Sequence, residues 1–337
     1  MKYDLDHLKA FWRAAASPAP LLIVGGGRWG RVWAGVAAAA RGSGEGIAIV
    51  SRQHSDDLEQ WRAQNPALKD VAISDCLPGG IDAIGQPNIA IIASRPRDHV
   101  RDSIATLNIG AHTLVEKPMS DTTDAARELL KLAESKERLI GVGTEFSYLT
   151  VLHYLGQTSL EDDSKIGNIR ILWADPLNES RHGAAKRSHP EIGLLEDILP
   201  HAYSLIRTLL PTASLRIVSA NESETGNDMT LTDETNRKIL VECTKTAEGR
   251  QRLLQIETDG PLLQLDFASA QPFVEQGTQK LQVPRDYLSL DSTLRLELGA
   301  FLLATENPSN PCPLVSAAAP LLDLQDELRH YRRVLGN

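Results

Sequence analysis

The sequence of 337 residues is short of cysteine, of long apolar runs and of positive charge, and each shortage excludes a class of protein. Its three cysteines, Cys76, Cys243 and Cys312, are scattered, so they provide neither a disulfide framework nor the spacing of a zinc site. No apolar run approaches the ~20 residues that a membrane-spanning helix requires. The net charge of −9 argues against general binding to nucleic acid, which needs a cationic surface. We therefore expect no metal, no membrane segment and no nucleic-acid partner.

The remaining composition is that of an ordinary globular protein. Hydrophobic residues make up 42% of the chain and charged residues 23%, and the length is enough for about two domains. The first twenty residues carry acids early and contain no uninterrupted apolar stretch, so they do not resemble a signal peptide. We expect a cytoplasmic protein with two domains.

The first part of the chain alternates between apolar runs and helix-like segments. The runs lie at 21–24, 46–50, 88–93 and 112–116. Each is apolar almost throughout, as expected for strands with helices on both faces, and the alternation with helices predicts parallel βαβ units. We predict that residues 1–140 form an α/β domain with a parallel, doubly wound sheet. A short docking helix lies at the start of this range.

The second part of the chain has a different pattern. From residue 141 onward, segments rich in β-forming residues often alternate polar and apolar side chains and follow one another through turns such as Asp259-Gly260. This pattern predicts a large, mostly antiparallel open sheet with one face packed on helices. We predict that residues 141–337 form a second domain, of the α+β class.

A glycine-rich segment follows the first apolar run and leads into an alanine-rich helix. Its letters, GGGRWG, match the pattern GxGxxG. In that pattern Gly25 permits a tight turn, Gly27 lets the backbone approach a pyrophosphate, and Gly30 allows the helix to pack closely. The helix would begin at Arg28 and Trp29, where free N–H groups face the phosphates. A lone GxGxxG is a weak signal, but its position between a strand and a helix favours a dinucleotide site over a simple glycine-rich turn.

The second apolar run ends at Ser51-Arg52, and this strand end distinguishes the two nicotinamide dinucleotides. An acid here would bind the ribose 2′-hydroxyl and repel a 2′-phosphate. A hydroxyl followed by a guanidinium can instead accept the 2′-phosphate. The alternative is an exposed loop pair, with Asp56 or Asp57 serving the ribose. We favour NADP as the cofactor, with NAD as the alternative.

Several later motifs resemble those of the Gfo/Idh/MocA family, which contains glucose–fructose oxidoreductase and inositol dehydrogenases. That family has an Ala-Thr-Pro-Asn-x-x-His stretch, a Gly-x-His strand start, Glu-Lys-Pro, and Asp-x-Gly-x-His-x-x-Asp. The matching residues here are Ala93, Ser94, His99, Gly110, His112, Glu116-Lys117-Pro118, Asp197 and His201. The resemblance spans nearly the whole chain. It implies a Rossmann domain in which Ser94, His99 and Glu116 lie at the cofactor.

The chain departs from the family pattern at three places. Arg95-Pro96 stands where Pro-Asn is usual, Leu199 replaces the glycine, and Ser204 replaces the final acid. The first departure implies altered contacts near the nicotinamide ribose. The other two imply a substrate pocket unlike that of the well-known sugar dehydrogenases.

The resemblance also implies that Lys117, Asp197 and His201 are catalytic and meet over the nicotinamide ring. Hydride transfer at a carbinol needs a group that exchanges the hydroxyl proton and stabilises the developing alkoxide. Histidine titrates near neutral pH, and a carboxylate four residues earlier on the same helical face can orient it. Taken singly, each residue has a simpler interpretation: a solvated loop lysine, a helix cap, and a histidine satisfied within its helix.

Basic residues precede the segment that carries Asp197. Arg181 and Lys186 lie in this loop, and Trp173 lies near it in sequence. These three could bind a carboxylate or phosphate of the substrate. A solvated surface is the equally good alternative for the basic pair.

These observations predict an NADP(H)-dependent oxidoreductase that interconverts a hydroxyl and a carbonyl on a polar small molecule, such as a sugar or sugar derivative. The alternatives are an NADPH-dependent imine reductase of the same fold and a non-catalytic nucleotide-sensing protein. The resemblance also implies a homodimer or homotetramer formed through the second domain's sheet. The sheet carries too many apolar residues for all of its outer face to be exposed to solvent, and the candidates, on one face or the other, are Ile169, Ile171, Leu215, Ile217, Leu263 and Leu265.

Overall fold

The computed structural model describes residues 2–53, 55–176, 180–181, 184–185, 192–223, 226–268 and 272–335. The chain divides into two compact units, and neither is continuous in sequence. The parallel-sheet unit comprises Asp6–Tyr148 and Ser292–Leu322, and the large-sheet unit comprises Met1–Leu5, Leu149–Asp291 and Asp323–Asn337. Both compact units combine segments from before and after residue 140. The division into a cofactor-binding domain of residues 1–140 and a substrate-binding domain of residues 141–337 therefore stays a prediction.

Up to residue 148, helices and strands alternate. The helices are α1 (Leu5–Ala14), α2 (Arg28–Arg41), α3 (Ser55–Ala63), α4 (Leu77–Ile84), α5 (Pro96–Asn108) and α6 (Thr123–Ser135). The strands are β1 (Leu21–Val24), β2 (Ile47–Val50), β3 (Ala72–Ser74), β4 (Ile89–Ile92), β5 (His112–Val115) and β6 (Ile140–Val142). All six strands are parallel, in the order β3-β2-β1-β4-β5-β6. This is the order of a doubly wound dinucleotide-binding sheet, so the predicted α/β class is confirmed.

From residue 149 to residue 291 the chain forms a second, larger sheet. The helices are α7 (Thr150–Gly156), α8 (Leu194–Leu209) and α9 (Arg285–Leu288). The strands are β7 (Ile166–Pro176), β8 (Ser180–Arg181), β9 (Ala184–Ala185), β10 (Arg216–Glu222), β11 (Asn227–Thr232), β12 (Lys238–Ala247), β13 (Gln251–Thr258), β14 (Leu263–Asp266), β15 (Phe273–Gln276) and β16 (Gln279–Leu281). The order of the eight-stranded sheet is β10-β11-β12-β7-β13-β14-β15-β16, and β8 pairs with β9. The pair β12–β7 is parallel and the other pairs of this sheet are antiparallel, which confirms the predicted sheet.

Three further helices follow the large sheet. They are α10 (Thr293–Glu306), α11 (Pro313–Ser316) and α12 (Ala318–Leu335). Helices α10 and α11 belong to the parallel-sheet unit, and most of α12 belongs to the large-sheet unit. Among the helices described, none combines the length and the apolar character needed to cross a membrane.

The apolar candidates of the large sheet are mostly buried within the single chain. Ile169, Ile171, Ile217, Leu263 and Leu265 are at most 4% exposed, and Leu215 is half-buried. Strand alternation turns the polar residues outward instead: Asn168 and Arg170 are exposed on β7. Arg170 forms an ion pair with Glu242, and Gln255 donates to Gln264 across neighbouring strands. Five of the six candidates therefore lie on the covered face of the sheet, and pairing with another subunit through the other face stays a prediction.

Helices α1 and α10 approach each other so closely that no side chain fits between them at Gly299. A Cβ built there would lie 1.8 Å from the carbonyl oxygen of Phe11 and 3.0 Å from the amide nitrogen of Ala15. Phe11 is itself buried and meets the ring of Tyr148 edge-on, with centroids 6.0 Å apart. The predicted docking helix is therefore fixed against α10 by backbone contact.

Replacing Gly299 with alanine should destabilise the protein. The added methyl group must displace the backbone of α1, and such overpacking typically costs about 1–3 kcal/mol. Gly35→Ala in α2 is the matched control, because a Cβ there meets nothing within 4 Å and alanine favours a helix by about 1 kcal/mol. Urea unfolding should give a lower free energy for Gly299→Ala and an unchanged or higher one for Gly35→Ala. Equal responses would contradict the close approach.

Candidate functional site

The glycine-rich loop between β1 and α2 contains tightly packed glycines and one open position. Gly25 has a φ of 120°, and a Cβ there would lie 2.5 Å from backbone atoms of Ala93 and Ser94. A Cβ at Gly30 would lie 1.8 Å from the carbonyl oxygen of Gly25. At Gly27, in contrast, a Cβ would meet nothing within 4 Å. Backbone packing therefore leaves no room for a side chain at Gly25 or Gly30, whereas Gly27 borders space that a ligand can enter.

The N-terminus of α2 fits the phosphates of a dinucleotide. Gly27 is the N-cap and Arg28 the first helical residue, so the amides of the first turn have no partner within the helix. Such amides bind anions well. The guanidinium carbon of Arg28 lies 5.3 Å from the centroid of the Trp29 ring, which places a cation beside the same turn.

The end of β2 carries the residues predicted to select the cofactor. Ser51 is 6% exposed, and its hydroxyl oxygen would lie 2.6 Å from a Cβ at Gly26, so it borders the glycine-rich loop. The side chain of Arg52 is 61% exposed, with Nη2 3.9 Å from Oδ1 of Asp102. Arg101 holds the same carboxylate oxygen more closely, at 2.8 Å. The guanidinium of Arg52 is therefore left mostly in solvent beside the loop.

His99 joins the end of β4 to the Glu-Lys-Pro segment after β5. It is 1% exposed, with Nδ1 2.8 Å from the carbonyl oxygen of Pro118 and Nε2 3.0 Å from that of Ser94. Burial lowers the pKa of His99, and the two carbonyl contacts oppose this. The peptide bond between Lys117 and Pro118 is cis. His99 thus holds the residue next to Lys117 against the strand end next to Gly25.

Glu116 ties the same segment to α2. Its carboxylate accepts a hydrogen bond of 2.6 Å from the indole of Trp33, which is fully buried on α2. Burial raises the pKa of Glu116, and the bond from Trp33 and the charge of Lys117 oppose this. Lys117 is partly exposed at the end of β5. Sequence reasoning missed Trp33, although a large aromatic residue within a run of alanines was a usable signal.

A second buried carboxyl group, Glu297 of α10, lies in the same unit. It is 1% exposed, and its Oε1 accepts a 3.0 Å hydrogen bond from the amide of Thr144. Burial, with the nearby charges of Glu116 and Glu145, raises the pKa of Glu297 well above its usual value and favours the neutral acid. Sequence reasoning missed this residue too; its position on the apolar stripe of the predicted helix, four residues before Phe301, was the available signal.

In the large-sheet unit, Asp197 and His201 lie four residues apart on α8 and therefore on one helical face. His201 is 8% exposed, and its ring stacks on that of Trp173 at 4.9 Å with an interplanar angle of 4°. Ser204, which stands where the family has an acid, is buried and donates to the carbonyl oxygen of His201 at 2.8 Å. The departure at this position therefore gives a hydrogen bond within the helix.

Of the three residues predicted to bind substrate, the structure describes the side chain of Trp173. It is 3% exposed, and its ring contacts both His201 and the guanidinium of Arg252. Its contact with substrate stays a prediction. Arg181 lies in β8, with its side chain outside what the structure describes, and Lys186 lies outside the described residues.

Comparison with known proteins identifies the parallel-sheet region. Residues 20–144 match the family model described as "Oxidoreductase family, NAD-binding Rossmann fold", which is that of Gfo/Idh/MocA proteins. Over these residues the chain matches the NAD-binding Rossmann domain of that oxidoreductase family. The resemblance stated from the sequence is confirmed.

Individual relatives extend the similarity over most of the fold. An uncharacterized oxidoreductase of Bacillus subtilis strain 168 is 26% identical over 175 residues, which cover 48% of this chain and 44% of that protein. The UDP-N-acetylglucosamine 3-dehydrogenase of Acidithiobacillus ferrooxidans has a TM-score of 0.67 and 16% identity, over 92% of this chain and 95% of its own. A variant 3-ketoreductase from Actinomadura kijaniata, solved with TDP-benzene and NADP, has a TM-score of 0.68 and 16% identity, over 93% and 98%. At these identities the two structures show a shared fold.

Replacing Gly27 with alanine should weaken dinucleotide binding without unfolding the protein. Its φ of −71° suits alanine, and the new methyl group would occupy the open space next to the first turn of α2. We expect the Kd for NADPH to rise about tenfold or more, a loss of about 1.4 kcal/mol. The stability should fall by at most about 1 kcal/mol, since alanine is a poorer N-cap than glycine. Calorimetric titration and thermal melting measure the two effects, and an unchanged Kd would show that no phosphate approaches Gly27.

Proposed function

We propose that the protein is an NADP(H)-dependent oxidoreductase that interconverts a hydroxyl and a carbonyl on a polar small molecule of the sugar class. One observation carries this proposal. The glycine-rich loop, Ser51-Arg52 and Glu116-Lys117-Pro118 directly follow the carboxyl ends of β1, β2 and β5 in one parallel sheet. Ligands of such sheets bind outside the carboxyl ends of the strands. The sugar-nucleotide dehydrogenase and the ketoreductase with the same fold support the substrate class.

The cofactor would be held by groups that the parallel-sheet unit already positions. The first turn of α2 would bind the pyrophosphate through the amides of Arg28 and Trp29. Ser51 and Arg52 would bind the 2′-phosphate of NADP, since a mostly solvated guanidinium needs little rearrangement to reach a new anion. A nicotinamide cofactor held by these residues would supply hydride transfer to or from the substrate.

Arg52→Ala tests the choice of NADP over NAD. Loss of a charge-assisted hydrogen bond should weaken NADPH binding by about 1.5–3 kcal/mol and leave NADH binding nearly unchanged. Arg13→Ala is the control, because Arg13 is an exposed arginine of α1 in the same unit and changes the net charge equally. Fluorescence titration with both nucleotides provides the measurement. Equal losses for NADPH and NADH would mean that Arg52 does not recognise the 2′-phosphate.

For the chemical step, we propose that Lys117 exchanges a proton with the reacting oxygen, and that His201 shares or relays this proton. Asp197 would act through His201, which lies four residues later on the same face of α8. The supports of Lys117 are visible within its unit, because Glu116 is bonded to Trp33 and Pro118 to His99 on either side of it. These contacts restrain the backbone on both sides of Lys117 and so fix the point from which its side chain extends.

Lys117→Met should reduce turnover by about 10²–10⁴-fold while the Kd for NADPH stays nearly constant, because the substitution keeps the length and removes the donor. His201→Asn should cost less if this residue relays the proton and more if it is the acid itself. A double variant of His201 and Asp197 should lose little beyond the worse single one, as expected for residues that act as a unit.

The assay uses NADPH consumption with keto-sugars, cyclitols and imines as the screened substrates. Near-normal turnover of Lys117→Met would make His201 the leading candidate for the acid. Turnover of imines alone would favour the imine reductase, and binding of nucleotide with no turnover of any class would favour the nucleotide sensor. Arg181 and Lys186 remain our proposed contacts for an anionic group of the substrate.

We also propose that the protein is a homodimer or homotetramer formed through the open face of the large sheet. Although that face is mostly polar, it includes the half-buried side chains of Leu172, Leu240 and Leu253 at its centre. Light scattering at micromolar concentration should give a dimer or a tetramer, and Leu172→Glu should dissociate it because a carboxylate would be buried. A monomeric wild-type protein would contradict the proposal.

A further inference from the structure

A row of three buried side chains crosses the large sheet beneath α8. Trp173 of β7 is paired with Arg252 of β13 on one side and with Cys243 of β12 on the other. Each of the three is at most 3% exposed. Burial, together with the charges of Glu222 and Asp197, raises the pKa of the Cys243 thiol to about 12. The helix that carries Asp197 and His201 packs on β12, and His201 stacks on Trp173 of this row.

The ring of Trp173 contacts three other side chains. His201 lies parallel to it, with an interplanar angle of 4° and centroids 4.9 Å apart. The guanidinium carbon of Arg252 lies 3.8 Å from the ring centroid, a distance typical of a strong cation–π contact. Phe267 meets the ring at 6.3 Å and an angle of 64°. The contacts with Arg252 and Phe267 therefore hold the indole in place against His201.

Arg252, which supports the ring of Trp173, is itself fixed. Arg252 is fully buried and forms an ion pair with Asp175, whose side chain is 2% exposed. Its Nη1 also donates to the carbonyl oxygens of Ala174 at 2.8 Å and Gln251 at 2.7 Å. Because a buried ion pair is costly to separate, Arg252 has no easy alternative position. Its contact with the ring of Trp173 is therefore fixed as well.

We propose that Trp173, backed by Arg252, is a positioning residue that fixes the ring plane of His201. An imidazole on a helix can rotate about its side-chain bonds, and a flat partner restricts it to orientations parallel to the indole. The hydrogen-bonding directions of both ring nitrogens lie in that plane, so the stack determines where His201 can give or take a proton. The catalytic consequence rests on the proposed function, because it requires His201 to take part in the reaction. The stacking itself does not.

The first test observes the stack without any substrate. In protein labelled with 13C at the ring carbons of histidine, the His201 signal is the one that disappears in His201→Asn. Its ring protons should lie upfield of ordinary histidine positions, because the indole ring current shields them. Trp173→Leu should remove this shift, Trp173→Phe should keep part of it, and Phe267→Leu, which alters only the edge contact, should keep most of it. An unshifted His201 signal in the wild-type protein would overturn the proposal.

The second test measures the effect on catalysis. Trp173→Leu should lower kcat by about ten- to a hundredfold, the range expected when a catalytic group is misplaced, with KM changed by less than about threefold. Trp173→Phe should recover most of kcat, since a smaller flat ring still restricts the imidazole. A Trp173→Leu variant that loses the upfield shift yet keeps normal kcat would overturn the positioning role. If the wild-type protein converts none of the screened substrates, the proposed function fails, while the magnetic resonance result still decides the stack.

Discussion

The parallel-sheet unit depends on one close approach, between Gly30 of α2 and the carbonyl oxygen of Gly25. A side chain at Gly30 would lie 1.8 Å from that oxygen, so only glycine lets the helix come so near the loop. This approach brings α2 down onto the sheet, where Trp33 reaches Glu116. The loop is pressed in turn against the end of β4, because a Cβ at Gly25 would lie 2.5 Å from the amide nitrogen of Ser94.

From Ser94 the contacts continue to the catalytic candidate. The carbonyl oxygen of Ser94 meets one nitrogen of His99, and the carbonyl oxygen of Pro118 meets the other. Lys117 therefore lies in a segment that is connected to the glycine-rich loop twice, through His99 and through the bond between Trp33 and Glu116. Two independent connections restrict a segment far more than one, and such restriction is what orientation of a reacting group requires.

In the large-sheet unit, buried charged residues restrict the position of His201. An isolated guanidinium inside a protein is costly, and the ion pair with Asp175 and two carbonyl acceptors offset the cost at Arg252. Arg252 is thus a rigid support for Trp173, and Trp173 in turn contacts His201. In each unit, a contact that is energetically costly to break holds one residue of the proposed reaction.

Much of the fold could be predicted because its causes are local. The glycines, the apolar runs and the helix-like spacing each act within a few residues, and the four predicted strands of the parallel sheet match β1, β2, β4 and β5. Strands β3 and β6 were missed because three residues are too few to show a pattern. The return of α10 to the parallel-sheet unit could not be predicted, since it depends on contacts far apart in sequence, such as that of Gly299 with Phe11.

The candidate site shows the same limit. The motif residues Lys117, Asp197 and His201 could be proposed because each belongs to a pattern in the sequence. Arg252 was not found, because its role depends on the register that sets it opposite Trp173. Arg252 alternates along β13 with Leu254 and Ile256, which are both buried. This alternation indicates that the arginine faces inward.

The central claim is that one rigid unit holds both the dinucleotide and Lys117 in fixed positions. A crystal structure of the protein with NADPH tests this most directly. We expect density for the pyrophosphate at the amides after Gly27, density for the 2′-phosphate at Ser51 and Arg52, and the nicotinamide ring beside Lys117. Nucleotide bound elsewhere on the sheet, or a nicotinamide ring remote from Lys117, would contradict the account.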